Sequence, residues 1–333
     1  MKKVTIIGAG LSGIYLASLL EKEYEVTILE ARDRVGGRVF SIDSHDLGPS
    51  WIWSHQKNIL QLINSLGLEL FSQHTKGYAL YDAKDKVELF NTPPSAPSAR
   101  MKGSLTQLIN AIKDRLTHTD IVLNTEVVSI KEIDEIVKIS TCEKEYEADY
   151  VITTLAPRLA VKLDYEPELP SQLKSQMLQT RTWMGNSAKC VIEFKTAFWK
   201  TKGLSGFVFS HRGPLGEMHD ASLEDRPALF GFVSANADMQ TIKEDVKKQL
   251  IRLFEIDKDE IVNIYVVNWR QERYSASPQD SAPVSQHPKY GIDTATYSQK
   301  ILFSTSEFSF EEGGYLEGSI INAQKIASKL NDI

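Results

Sequence analysis

The sequence predicts an α/β protein organised around a Rossmann-like dinucleotide-binding unit, and three features of its N-terminal segment carry that reading. A short β-branched run, Lys3-Val4-Thr5-Ile6-Ile7, has the character of a strand buried on both faces. Gly8-Ala9-Gly10-Leu11-Ser12-Gly13 follows it directly, and Ile14 to Leu20 continues as a helix with apolar positions for a sheet. A second strand, Glu25 to Leu29, ends on Glu30, 17 residues after Gly13.

Each part has a physical reason. Gly8 permits a tight turn, Gly10 lets backbone approach a pyrophosphate, and Gly13 lets helix and strand pack closely. The N-terminus of the helix, with Leu11 and Ser12 in its first turn, offers unpaired N–H groups and a partial positive charge to phosphate. Glu30 is placed to accept from ribose hydroxyls, and its charge disfavours a 2′-phosphate.

At 333 residues the chain is long enough for about two domains. A hydrophobic fraction of 42%, with 25% charged residues, excludes disordered and collagen-like classes. A net charge of −6 disfavours a general nucleic-acid binder. Two cysteines, Cys142 and Cys190, without a Cys-x-x-Cys or His-rich cluster, argue for reduced thiols and no metal site. The apolar run after Met1-Lys2-Lys3 has the look of a secretory signal. Its spaced glycines, its Glu21-Lys22-Glu23 ending and the strand that follows argue for a folded segment instead. No segment approaches the length of a membrane span, so a cytoplasmic protein is expected.

Beyond the acid, the chain reads Glu30-Ala31-Arg32-Asp33-Arg34-Val35-Gly36-Gly37-Arg38. A glycine pair flanked by arginines brings backbone N–H groups and guanidinium to a second phosphate region. Together with G-x-G-x-x-G, this block resembles the flavin-containing amine oxidase family, which matches both motifs without gaps. The resemblance implies FAD, bound by a discontinuous Rossmann-like domain with an inserted α+β substrate domain. The expected FAD-binding pieces are residues 1–75, 101–162 and 296–333, and the substrate domain takes 76–100 and 163–295. The insert is shorter than in larger family members, chiefly between residues 75 and 103.

The resemblance extends along the chain. Asp46-Leu47-Gly48-Pro49-Ser50-Trp51-Ile52 is similar to the family segment that lies along the flavin, followed by a helix at 56–66. A hairpin is expected over 78–90, a Pro/Ser loop over 91–98, and a helix from Leu105 to about Leu116. Strands at 121–124, 127–130, 136–139 and 144–146 form a run, which in the family covers the adenine; Val127 matches the contacting valine. Thr154 and Pro157 close a strand that returns to the parallel sheet, and so are expected at the cofactor. A helix is expected over 241–254, a strand over 300–303 and a final helix over 314–330.

Three further segments carry residues expected in the chemistry. Lys189, with Cys190 beside it, matches the family lysine that holds a water next to flavin N5. Trp269 matches a tryptophan that packs on the flavin. Gly313-Gly314-Tyr315-Leu316-Glu317-Gly318-Ser319 is similar to the family's G-Y-x-E-G-(A/S). It makes Tyr315 one wall of an aromatic pair, and Leu316 and the helix behind it neighbours of the flavin's pyrimidine carbonyl. Two departures stand out. Glu307 is present, but Thr305 replaces the glycine expected before it. Pro278 and Gln279 stand where monoamine oxidases have a flavin-bonded cysteine and the second aromatic, so FAD is expected to be non-covalent. Gln279 and Asp280 are open either to a polar amine or to solvent.

The expected activity is oxidation of a small-molecule amine to an imine by hydride transfer to FAD. Dioxygen or another electron acceptor would complete the cycle. Carbon–carbon desaturation, as in porphyrinogen-oxidase relatives, and non-catalytic flavin binding are the alternatives. The oligomeric state is not legible in the sequence.

Overall fold

A computed structural model describes residues 1–92, 96–282 and 286–332. Part of the Pro/Ser loop expected over 91–98 therefore lies outside the described residues. At the centre is a five-stranded parallel sheet, in the order Thr119–Val122, Tyr24–Leu29, Lys2–Ile7, Tyr150–Thr153, Ile301–Phe303. Alternate side chains serve opposite faces. Val4, Ile6, Ile28, Ile152 and Leu302 pack under the helices Leu11–Leu20, Thr106–Lys113 and Leu316–Asn331. Ile7, Leu29, Val151, Ile301 and Phe303 pack against a smaller four-stranded sheet. Burial on both faces is why these strands read as unbroken apolar runs.

That smaller sheet has the order Glu145–Ala148, Ile136–Thr141, Val127–Ile133, Asp164–Glu166. Three expectations are corrected here. The segment expected as a strand at 121–124 is not part of the adenine-side run; as Thr119–Val122 it forms an edge of the parallel sheet, beside Tyr24–Leu29. The first unit also continues past residue 162. Asp164–Glu166 pairs in parallel with Val127–Ile133, and Leu169, Leu173 and Met177 join the same core cluster. Likewise Ser98–Met101 pairs with Ile52–Trp53 and Leu70–Ser72 rather than with the insert.

The inserted unit is a seven-stranded sheet: Ile261–Asn268, Ala188–Phe194, Ala228–Val233, Leu215–Asp220, Leu204–Ser210, Tyr78–Asp82, Val87–Phe90. The helix Ile242–Phe254 covers one face, burying Val246, Leu250 and Leu253 among Cys190, Ile192, Met218 and Leu229. The other face, with Val191, Phe230 and Phe232, turns to Leu47, Phe40 and Trp51 of the first unit. The strand alternation thus hands one set of side chains to the core and the other to the seam between the units.

At the glycine turn the helix begins at Leu11, earlier than the apolar pattern suggests, with Gly10 as its N-cap. Gly8 has φ +104°, which only glycine adopts freely. A Cβ on Gly13 would sit 2.0 Å from the Gly8 carbonyl oxygen, so strand and helix touch there through backbone. No helix among the described residues is long and apolar enough to cross a membrane.

Candidate active site

A cavity of about 1000 Å³ runs from the glycine turn to the seam between the two units. This is the upper end of small-molecule pockets, about 300–1,000 Å³, with room for a large cofactor and a small substrate.

The nucleotide end is built from backbone. The helix Leu11–Leu20 has no side-chain cap and no acid in its first turn, leaving its N–H groups to a ligand. A Cβ on Gly10 would meet nothing within 4 Å, because that face of the residue is open. Gly37, with φ +57°, would bring its Cβ 3.2 Å from the Gly10 Cα, and Gly36 N–H donates to the Ala9 carbonyl at 2.8 Å. The two glycine motifs are therefore one double layer of backbone. Thr154 secures it, donating through Oγ1 to the carbonyls of Ile7 at 2.9 Å and Gly8 at 3.1 Å.

Glu30 is buried at the end of its strand and accepts from the N–H groups of Ala9 at 2.8 Å and Arg32 at 2.9 Å. Arg32 reaches across to the other unit's chain, donating to Glu272 at 2.8 Å and Ser275 at 2.9 Å. Arg38 is held by Glu307 through two hydrogen bonds, one of 3.0 Å. Burial pushes the Glu307 carboxyl up, but Arg38 and the Thr305 hydroxyl overcome this and hold it below the usual range. The missing glycine is explained at once. Thr305 has φ −131° and ψ 172°, extended backbone open to any residue, and its Oγ1 donates to Glu307 at 2.8 Å.

Toward the seam, Lys189 is buried and donates to the Gly48 carbonyl at 2.9 Å and the Ser50 hydroxyl at 2.5 Å. Its ammonium lies 4.2 Å from the centre of the Phe230 ring. Burial lowers its pKa to about 7; Asp46 opposes this and Arg100 adds to it. Trp269 donates through Nε1 to the Leu47 carbonyl at 2.8 Å, locking its indole against the segment 46–52. Tyr315 packs edge-on to Trp53 at 5.4 Å and stacks on His287 at 5.0 Å.

Of the residues singled out from the sequence, Gly8, Gly10, Leu11, Ser12, Glu30, Ala31, Arg32, Gly36, Gly37, Arg38, Gly48, Pro49, Ser50, Trp51, Val127, Thr154, Lys189, Trp269, Tyr315 and Leu316 line the cavity. Three do not. Gly13 acts beneath the turn, and Glu307 acts through Arg38. Pro157, expected at the cofactor, is instead the buried first residue of the short helix Pro157–Ala160, turned into the core. Asp280 is neither an amine site nor solvated. It is buried, pairs with Arg158 at 2.7 Å and caps Thr182 and Ser277 N–H groups.

Sequence reasoning missed the aromatic lining from Trp53, Trp183, Phe230 and Phe232, and the carboxylate of Glu217. Alternation marks Phe230 and Phe232 as sharing one face of their strand; only the inter-strand register brings Glu217 and Lys189 to that face. Glu317 has a different role from its neighbours. Its carboxylate accepts from the N–H groups of Asn58 at 2.9 Å and Ile59 at 2.8 Å, capping the helix Lys57–Ser65.

A glycine double layer at an uncapped helix N-terminus, with the Glu30 carboxylate beside it, suits a bound dinucleotide. The chain belongs to the flavin containing amine oxidoreductase family, whose model matches residues 82–331; a NAD(P)-binding Rossmann-like model matches 6–66. It is an FAD-dependent enzyme. It is 25% identical to amine oxidase [flavin-containing] A of Bos taurus over 449 aligned positions, covering 99% of this chain and 85% of the relative. Laying 449 positions on 333 residues means that the relative carries segments with no counterpart here. Among solved structures, a putrescine oxidase bound to putrescine has a TM-score of 0.84 at 20% identity, covering 100% of this chain and 99% of that one. Cyclohexylamine oxidase from Brevibacterium oxydans also has 0.84, at 18% identity, with 99% of each chain covered. These two likenesses establish a common fold.

The residues fit FAD. The open face of Gly10, the uncapped helix and Glu30 suit the pyrophosphate and ribose, and the apolar seam suits a flat ring system. Neither cysteine lines the cavity; Cys142 is exposed and Cys190 is buried on the far face of its strand. Among the described residues no cluster of His, Cys, Asp and Glu could hold a metal.

Proposed function

We propose that the protein oxidises a small amine to an imine on non-covalently held FAD, with dioxygen as the final acceptor and hydrogen peroxide as product. FAD, when bound, would supply the two-electron acceptor for hydride equivalents leaving the carbon next to nitrogen. The observation that carries the reading is the aromatic seam closed by a buried lysine. Trp51, Trp53, Phe230, Phe232 and Tyr315 line it, and Lys189 is pinned between Gly48 and Ser50.

The chain's residues have separable tasks. The aromatic walls exclude water and favour the neutral amine, whose lone pair must be free as the carbon–hydrogen bond breaks. Lys189 orders a water on the cavity floor and places a proton donor beside the point where dioxygen is reduced. Trp269, locked to Leu47, fixes the segment 46–52 as a rigid floor. The helix N-terminus behind Tyr315 has no side-chain cap, so its dipole stabilises negative charge arriving in front of it. The imine then leaves the site and hydrolyses to an aldehyde and ammonia.

The test is an oxygen-electrode assay on the FAD-loaded protein with coupled peroxide detection. Amine-dependent oxygen uptake with one peroxide formed per oxygen consumed is expected. Amine oxidation that requires an artificial acceptor and consumes no oxygen would remove dioxygen from the scheme.

A further inference from the structure

We infer that residues 272–274 form a strap held over the nucleotide end of the cavity by two crossed ion pairs, and that FAD enters and leaves by its opening. The inference concerns cofactor exchange and stands whether or not the bound flavin oxidises an amine.

The rim beneath the strap is fixed by backbone. Asn124 N–H donates to the Arg32 carbonyl at 2.9 Å, and Thr125 N–H to the Glu30 carbonyl at 2.8 Å. These bonds tie the chain after the strand Tyr24–Leu29 to the chain before the strand Val127–Ile133. Arg32 and Glu126 are thereby presented as neighbouring opposite charges on the cavity wall. The strap carries their complement in consecutive residues. Arg32 donates to Glu272 at 2.8 and 3.0 Å, and Arg273 pairs with Glu126. Tyr274 lies between the pairs. Its hydroxyl donates to Glu126 at 2.9 Å, and its ring centre is 5.3 Å from the Arg32 guanidinium and 4.3 Å from that of Arg273. Crossed charges set the register of closure, because sliding the strap by one residue would set Arg32 against Arg273.

Firm anchors lie beyond both ends. Before the strap, the Arg270 guanidinium is committed to the carbonyls of Asn186 at 2.7 Å, Ala235 at 3.1 Å and Val233 at 3.2 Å. After it, Ser275, Ala276 and Ser277 are buried, and Arg32 donates to Ser275 at 2.9 Å. Between the anchors the contacts are of a weaker kind. The side chains of Arg273, Glu126 and Glu272 are 65%, 43% and 32% exposed. An exposed ion pair shifts an equilibrium by a factor of about 5 at most and is screened by salt.

The other walls are not free to part. The glycine double layer is backbone held to backbone, and the seam between the units is apolar, with Val191, Phe230 and Leu47 buried in it. A segment held firmly at its ends and weakly in its middle opens locally while the units it joins stay folded. Lifting 272–274 breaks two screened ion pairs and withdraws one tyrosine ring, far less than parting the seam.

The test follows flavin fluorescence, first as the FAD-loaded protein is diluted and then as apoprotein takes up FAD. It gives release and uptake rates without turnover. Release from the unmodified protein should quicken several-fold between about 0.05 and 0.5 M sodium chloride. Glu126→Gln should speed both release and uptake by about 2- to 5-fold, changing Kd less than either rate. Glu126→Arg should speed both further, and Glu126→Arg combined with Arg273→Glu should return both toward the parent. A side chain that simply held FAD would behave otherwise: its loss would speed release alone, and exchanging the charges would not repair it. Apoprotein melting temperatures confirm that each variant is folded. Release insensitive to salt, faster release with unchanged uptake, rates that the charge exchange fails to restore, or rates unchanged in every variant would each overturn the inference.

Discussion

Replacing Lys189 by methionine is expected to slow reoxidation of the reduced protein by dioxygen by about 10²-fold or more, the usual cost of removing one aligned donor or proton carrier. The flavin-reduction half-reaction changes far less. The argument starts from position: Lys189 is buried, held by Gly48 and Ser50, and lines the cavity. Desolvation brings its pKa to about 7, so both protonation states are accessible near neutrality. Reduction of dioxygen develops negative charge, which the ammonium stabilises. The reoxidation rate is therefore expected to fall as pH rises through about 7 in the unmodified protein, and Lys189→Met to abolish that step. Stopped-flow reoxidation across pH checks both statements. An unchanged rate in the variant would remove Lys189 from the oxidative step.

The same substitution acts oppositely on stability. Lys189 titrates at about 7 when folded against 10.5 ordinarily, so within that window the unfolded chain holds the extra proton. Stability rises with pH across the window, and below it the full cost of burying the ammonium is borne. The variant is therefore expected to melt higher than the parent below pH 7, with the gain shrinking toward pH 10.5. A residue that costs stability where it aids the reaction has the character of a functional group.

The second large effect is on Glu307. Glu307→Gln is expected to destabilise the protein by about 3 kcal/mol, the low end for breaking a buried pair, because the Arg38 side chain keeps 33% of its surface open toward the cavity while Glu307 has none. The mutation removes the charge and one of the two oxygens that Arg38 and the Thr305 hydroxyl share. FAD affinity falls with it, since Arg38 lines the cavity in a position that Glu307 sets. The pH dependence follows from the lowered carboxyl pKa. The pair's contribution is complete above the ordinary value of 4.5 and is lost as pH falls through the depressed one. Urea midpoints with an unchanged slope, together with FAD titration, check this. A midpoint shift too small to resolve would make the pair a surface-like contact.

The nucleotide half of the site was legible in the sequence because its chemistry is backbone chemistry. Gly8 and Gly13 occupy places that a Cβ would clash with, and such demands leave a local imprint. Strand pairing leaves none. The strand Thr119–Val122 has the β-branched character of its meander neighbours, and only its distant partner Tyr24–Leu29 distinguishes it. The same blindness hid the rung Lys189–Phe232–Glu217, whose members lie on three separate strands. Pro157 failed for another reason: one residue of a helical turn separates the cavity wall at Ala156 from the core. Thr305 looked like a defect because a motif position was compared without its backbone angles. At φ −131° no glycine is needed.

The central claim is that this cavity oxidises amines on bound FAD. It is tested most directly by the visible spectrum of the purified, FAD-loaded protein under anaerobic conditions, before and after a pooled panel of primary amines, polyamines and amino acids. The account predicts that the oxidised flavin bands bleach with the amines and return when air is admitted. A flavin that stays oxidised with every amine, or a protein that binds no FAD, would contradict it.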